Sequence, residues 1–198
     1  MSLLIILVFF GVGLLAMPLS LSLGVAAVAG LTASNVDYNL LPSRMMSAVN
    51  AFPLMTIPFF ILAGELMLKA GMMERLIDLA NTIVGRLRGG LGHVTVLAGM
   101  GLSTVSGAAV ADASALGSTL LPSLTRHYGV GFSAALCAAA ANLGPIIPPS
   151  GAMIVYAFMA GPTVSVGGLF MAGVVPGILL VIGMMAMCSF IAWRRNFP

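Results

Sequence analysis

The sequence predicts an all-α integral membrane protein with about four transmembrane helices, one re-entrant helical hairpin and one broken helix. Three observations predict it. Only 7% of the residues are charged, where soluble domains carry about 25%. The apolar runs are long and lack the period-two alternation of barrel strands, so they read as helices. Finally, two of these runs are interrupted at their centres, at residues 103–114 by small and hydroxyl residues and at 142–151 by three prolines and two glycines. A hydrophobic content of 60% and a mean hydropathy of +1.14 exclude a soluble enzyme or binding module. The net charge of +3 would suggest nucleic acid in a soluble chain. Here Lys and Arg fall in short loops, so membrane orientation accounts for them and no nucleic-acid partner is expected.

Residues 3–31 form the first apolar run and read as the first membrane segment, longer than the ~20 residues a crossing needs. Pro18 and Gly24 allow it a kink or tilt. Residues 32–51 are polar and irregular, with Asp37, Asn39, Pro42 and Arg44, and the second half suits a short interfacial helix. Residues 53–68 read as the second crossing. Glu65 and Lys69, four apart near its end, are spaced for a helical ion pair, with an ion-handling role for Glu65 as the alternative.

From 69 to 89 the pattern becomes amphipathic. Met73, Leu76, Ile77, Ala80, Ile83, Val84 and Leu87 recur at helical spacing, opposite Glu74, Arg75, Asp78, Asn81, Arg86 and Arg88. Such a helix lies at the membrane surface. Residues 91–124 follow. Their halves, 91–105 and 111–121, are each too short to cross, so a hairpin that dips in and returns fits best. Residues 130–160 are the broken helix, and 169–193 the last crossing, ending in Arg194 and Arg195. With the hairpin returning to its own side, Lys69, Arg75, Arg86, Arg88, Arg126, Arg194 and Arg195 fall on one face and Arg44 on the other. The positive-inside rule then predicts a cytoplasmic N-terminus.

The two breaks carry the chemistry. Proline lacks the N–H and collides with the preceding turn, so residues 142–151 cannot continue a helix. Non-helical backbone survives at membrane depth only within protein or beside a watery cavity, and transporters place ion and substrate sites at such breaks. Half-helix ends supply positive dipoles and free carbonyls. Hydroxyls of Ser103, Thr104, Ser106 and Ser150, with carbonyls near Gly107 and from 144 to 148, are neutral oxygen ligands suited to a hard cation such as Na⁺. The positive helix ends suit a carboxylate substrate. Glycines 107, 144 and 151 would let the backbone approach an ion, although small residues also let membrane helices pack closely. Asp112 reads as the N-cap of the second half-helix, with direct cation ligation as the alternative. His93 reads as an interfacial histidine, and Cys137 and Cys188 as small buried hydrophobes. No nucleophile–base pair, carboxylate dyad or metal-ligand spacing appears, so no catalytic residue is assigned and the chain is not expected to be an enzyme.

Three motifs, Phe52-Pro-Leu-Met-Thr-Ile-Pro-Phe-Phe-Ile-Leu-Ala-Gly64, Ser106-Gly-Ala-Ala-Val-Ala-Asp112 and Gly144-Pro-Ile-Ile-Pro-Pro-Ser150, resemble the large membrane subunit (DctM type) of tripartite ATP-independent periplasmic, or TRAP, transporters. The resemblance runs through the whole chain in the family's order. It implies a bacterial inner-membrane, sodium-driven importer of organic acids such as C4-dicarboxylates or sialic acid. No cofactor is implied beyond Na⁺ as coupling ion. The implied partners are a small four-helix membrane subunit, a periplasmic substrate-binding protein and the lipid bilayer. Carried over, Ser106, Gly107 and Ser150 would face substrate, while Ser103, Gly144, Pro145, Ile147, Pro148 and Ser150 would hold Na⁺. Residues 1–90 would be scaffold helices and arm, 91–168 the moving hairpin and broken helix, and 169–198 the last helix and basic end.

The family's large subunit comprises two inverted repeats and acts as an elevator transporter. This sequence supplies one half of that fold, so a C-terminal repeat is a further implied partner. Two other readings remain open: a truncated, non-transporting assembly or scaffold subunit derived from such a permease, and an unrelated sodium-coupled carrier of similar architecture.

Overall fold

A computed structural model describes residues 2–50, 52–161, 163–195 and 197, excluding the side chains of residues 52–55. The first four side chains of the Phe52–Gly64 motif therefore lie outside what the structure describes. All regular structure among the described residues is α-helical. Packing divides the chain into two compact units, residues 1–51 and 52–198.

The first unit holds α1 (Ser2–Leu14), α2 (Leu19–Ala33) and α3 (Leu40–Val49). The expected single segment over residues 3–31 is instead two helices. A turn with Ala16 at φ +59° precedes Pro18, and proline excludes Met17 from helical geometry. Ser22, Ala26 and Gly30 form the buried stripe of α2, spaced four apart on one helix face. A Cβ on Gly30 would lie 2.9 Å from Cδ1 of Ile5. The end of α2 thus lies beside the start of α1, and the pair is antiparallel. Ser2 and Ser34 therefore finish at the same end of this unit. α3 occupies the polar stretch, where a short helix was expected.

The second unit begins with α4 (Phe52–Lys69), which bends by 68° into α5 (Met72–Val84). Gly71, at φ +78°, occupies the left-handed region that makes the turn, where a Cβ would be strained. The expected amphipathic arm is α5, but Met73, Ala80 and Val84 are buried against α6 rather than left for the bilayer. Glu65 and Lys69 are exposed on α4 and, among the described residues, form no ion pair.

The hairpin halves read as 91–105 and 111–121 form α6 (Gly90–Ser106) and α7 (Ala109–Thr119). α8 (Leu121–Tyr128) completes the return, placing the Tyr128 phenol against the backbone of Leu91 and Gly92. The entrance and exit of the hairpin are therefore neighbours. α9 (Val130–Ala141) and α10 (Gly151–Ala160) are the broken helix, and α11 (Val166–Arg195) the last long helix.

α6 is central: α5, α9 and α11 all pack on it, and Leu102, Leu116, Leu124, Leu143 and Val96 fill the core around it. Small residues permit this close approach. A Cβ on Gly99 would sit 2.9 Å from that of Ala140 on α9, so any larger residue would separate the two helices.

His93, expected at an interface, is instead 1% exposed, with Nε2 3.1 Å from the Ser189 hydroxyl of α11. Burial of Cys137 and Cys188 matches their reading as small hydrophobes. Among the described residues, only α11 is by itself long and apolar enough to cross a membrane. The other expected crossings are shorter or bent pieces, as the two antiparallel N-terminal helices illustrate. The packing boundary at 51/52 falls inside the 1–90 segment grouped from sequence, because α4 and α5 join the hairpin's unit.

Candidate functional site at the hairpin tip and the broken helix

The hairpin turns at Gly107, whose φ of +59° lies in the left-handed region where a Cβ is disfavoured. The turn sets Ser103 and Ser106, on the last turn of α6, against Asp112 in the first turn of α7. Asp112 is fully buried. Ser106 donates its hydroxyl to Oδ1 of Asp112 and accepts the Ala108 N–H at 3.2 Å. The Ser103 hydroxyl lies 2.7 Å from the Gly99 carbonyl of its own helix and 3.4 Å from Oδ2 of Asp112. A hydroxyl has one proton to give, and the shorter contact takes it, so Oδ2 is weakly served. The N-cap of α7 is Ala108 and not Asp112. The carboxylate instead joins the two sides of the tip.

The broken helix meets this tip along two glycine contacts. A Cβ on Gly107 would stand 2.7 Å from the Pro149 carbonyl and 3.3 Å from Cα of Ser150. A Cβ on Gly144 would stand 2.7 Å from Oδ2 of Asp112 and 3.2 Å from the backbone of Ala108. Hydrogen alone at these two positions lets both backbones come together. From the outer side, the Phe60 ring of α4 would lie 3.0 Å from the Gly107 Cβ, and the Val105 carbonyl the same distance from a Cβ on Gly64. α4 thus supports the tip.

Ser150 is fully buried and its hydroxyl has no hydrogen-bond partner among the described residues. A buried hydroxyl without a partner costs about 1–3 kcal/mol. Asp112 has no Lys, Arg or His partner among the described residues, only hydroxyl donors. Removing a charge from water without a counter-charge is far more costly than leaving a hydroxyl unpaired. A carboxyl buried there without a counter-charge either keeps a proton or is met by a cation, for which hydroxyl and carbonyl oxygens are available.

Ser103, Ser106, Gly107, Gly144 and Ser150 are brought into one neighbourhood. The Ile147 side chain turns away from them and fits under Gly177 of α11, where a Cβ would be 2.7 Å from Cγ1. The neighbouring Ile146 carbonyl faces Gly173 of the same helix. Pro145 and Pro148 are half-buried in the break, with a cis peptide between Pro148 and Pro149. Thr104 is exposed, bonds its own helix at the Gly101 carbonyl and lines a groove against α5. Nothing lies within 4 Å of a Cβ on Gly151, so no close approach requires a glycine there. Sequence reasoning undervalued Asp112 and passed over the Pro149 carbonyl. The available signal was Ser103 and Ser106 followed by a glycine turn and an acid, which a hairpin closes into one cluster.

A re-entrant hairpin whose tip rests on a broken helix, with backbone and hydroxyl oxygens converging there, defines the class of secondary-transporter membrane subunits. Residues 5–198 match the family Tripartite ATP-independent periplasmic transporter, DctM component, and the chain belongs to that family. It is 37% identical over 194 residues to the sialic acid TRAP transporter large permease protein SiaM of Vibrio cholerae, covering 96% of this chain and 45% of that protein. Identity to the 2,3-diketo-L-gulonate TRAP transporter large permease protein YiaN of Escherichia coli is 38% over 163 residues, covering 82% and 38%. To the isethionate TRAP transporter permease protein DctMQ of Oleidesulfovibrio alaskensis it is 37% over 184 residues, covering 91% and 28%. The chain thus spans about half the length, or less, of the curated relatives it matches. The family consists of bacterial inner-membrane permease subunits and not enzymes.

Proposed function

We propose that this chain forms the first-repeat half of a sodium-coupled TRAP permease that imports an organic acid. The single observation that carries this reading is the buried Asp112 carboxylate at the meeting of hairpin tip and broken helix. Among the described residues it has no Lys, Arg or His partner, and the unpartnered Ser150 hydroxyl belongs to the break that meets the tip. In this reading Na⁺ is held by Asp112, Ser103, Ser150 and carbonyls of the break among Gly144, Pro145, Ile147 and Pro148. The Pro149 carbonyl, which faces Gly107 across the tip, is added to that set. Ser106, Gly107 and the start of α10 at Ser150 face the substrate carboxylate, with the α10 dipole supplying positive potential.

Organic acids are the substrate class supported by the relatives, whose names specify sialic acid, diketogulonate and isethionate transport. A C4-dicarboxylate belongs to the same chemistry of anionic small molecules. A second inverted repeat, a small membrane subunit and a periplasmic binding protein complete the transporter. Lys69, Arg75, Arg86, Arg88, Arg126, Arg194 and Arg195 lie on the cytoplasmic face.

The test is uptake of radiolabelled organic acids into proteoliposomes under an imposed Na⁺ gradient, with the second repeat and both partner subunits present. Sodium-dependent uptake that disappears in Asp112→Asn, while the variant still assembles, is the expected result. Sodium-independent uptake, or an Asp112→Asn variant with unchanged sodium dependence, removes the proposed ion site. Assembly of all components without uptake favours the non-transporting scaffold reading.

A further inference from the structure

The N-terminal unit contains a feature that the transport reading does not use. A groove of about 300 Å³ runs between the antiparallel pair α1–α2 and the start of α3, lined by Ile5, Ala27, Gly30, Leu31, Leu41 and Arg44 among others. All of its lining is apolar or small except Ser34 and Arg44, and Arg44 is the only charged residue in it. Arg44 is exposed, and it is the sole Lys or Arg of residues 2–50. Asp37, the one acid in that span, is occupied by the backbone and side-chain amides of Asn39 at 3.0 and 3.4 Å. Among the described residues Arg44 has no carboxylate partner. Exposed Asp37, Tyr38 and Asn39 immediately precede the groove-lining Leu40, at the end of two largely apolar helices. Aromatic and cationic residues in that position mark the level of lipid headgroups.

We propose that this groove binds one acidic phospholipid, with an acyl chain against Ile5, Ala27 and Leu41 and the phosphate on Arg44. The argument is charge complementarity. A planar guanidinium grips a phosphate through two parallel N–H···O bonds, and an unpaired arginine beside an apolar slot matches an amphiphile with one anionic end. A zwitterionic lipid offers the same phosphate but carries an ammonium that competes with Arg44 for it. The acidic headgroup has no such competitor and keeps its full charge for the protein. The proposal requires a membrane-embedded chain and nothing of the sodium site.

The permease, extracted in mild detergent with any subunits that accompany it, is equilibrated with mixed micelles of equal phosphatidylglycerol and phosphatidylcholine. Retained lipid is then counted by native mass spectrometry. The expected preference for phosphatidylglycerol is roughly ten-fold, the scale of one charge-assisted contact. Arg44→Gln abolishes the preference, Arg44→Lys keeps part of it, and Leu41→Trp lowers retention of both lipids by filling the slot. Arg86→Gln, on the segment that follows α5, leaves the preference unchanged and reports that the fold survives purification. Equal retention of the two lipids by the unaltered chain overturns the proposal. So does a preference that survives Arg44→Gln, or a protein helix found seated in the groove in place of lipid.

Discussion

Three glycines separate what a Cβ would disturb from what it would not. Gly107 and Gly144 touch the opposing backbone or carboxylate at distances no Cβ accepts, whereas Gly151 faces open space. Gly107→Ala also forces an L-residue into the left-handed region, a cost of about 1–2 kcal/mol before any clash is counted. Gly144→Ala pushes the Asp112 carboxylate away from the break, and overpacking of this kind costs roughly 1–3 kcal/mol. Both variants are expected to lower the thermal midpoint of the detergent-solubilised protein and to remove any stabilisation by Na⁺. Gly151→Ala is expected to stay within about 0.5 kcal/mol of the parent, measured in the same assay. Equal losses at all three positions would deny the tip-to-break contact its role.

At the scale of elements, α11 acts as the wall that positions the break. Ile147 sits in the notch left by Gly177, the Ile146 carbonyl faces Gly173, and Ser189 meets His93 of α6. One helix therefore holds both the break and the entrance of the hairpin. Gly177→Val would place new atoms where Ile147 packs, a core overpacking worth about 1–3 kcal/mol. Because the break must shift to admit it, the variant is expected to weaken Na⁺-dependent stabilisation even though it touches no side-chain ligand proposed for the ion. Ser189→Ala is the comparison. It removes a hydrogen bond about three turns of helix away and is expected to lower stability without altering the sodium response. Both effects are read from melting curves with and without Na⁺.

Across the whole molecule, the principal departure from the sequence reading is the folding-back of the first apolar run. An antiparallel α1–α2 pair returns to the end from which it started, so Ser2 and Ser34 share an end of their unit. Cysteines placed as Ser2→Cys and Ser34→Cys are expected to react with an impermeant maleimide from the same side of sealed vesicles. Labelling from opposite sides would restore a single crossing over residues 3–31. The native Cys137 and Cys188 are 5% and 4% exposed and are expected to stay unlabelled until the protein is denatured.

The sequence by itself determined that the chain is helical and membrane-embedded, and where the hairpin and the proline-rich run break. Those properties are local: hydropathy sums along the chain, and proline removes a backbone donor wherever it stands. The hairpin halves and the site residues Ser103, Ser106, Gly107, Gly144 and Ser150 were legible for the same reason, because small and hydroxyl residues in an apolar run stand out without any knowledge of partners. Only the tertiary structure decided that Asp112 bridges the tip instead of capping α7, that Ile147 turns towards α11, and that His93 is buried. It also decided that α1 and α2 pair with each other. Each of these depends on a residue distant in sequence, and a helix apolar on every side gives no sign of which face a neighbour will cover.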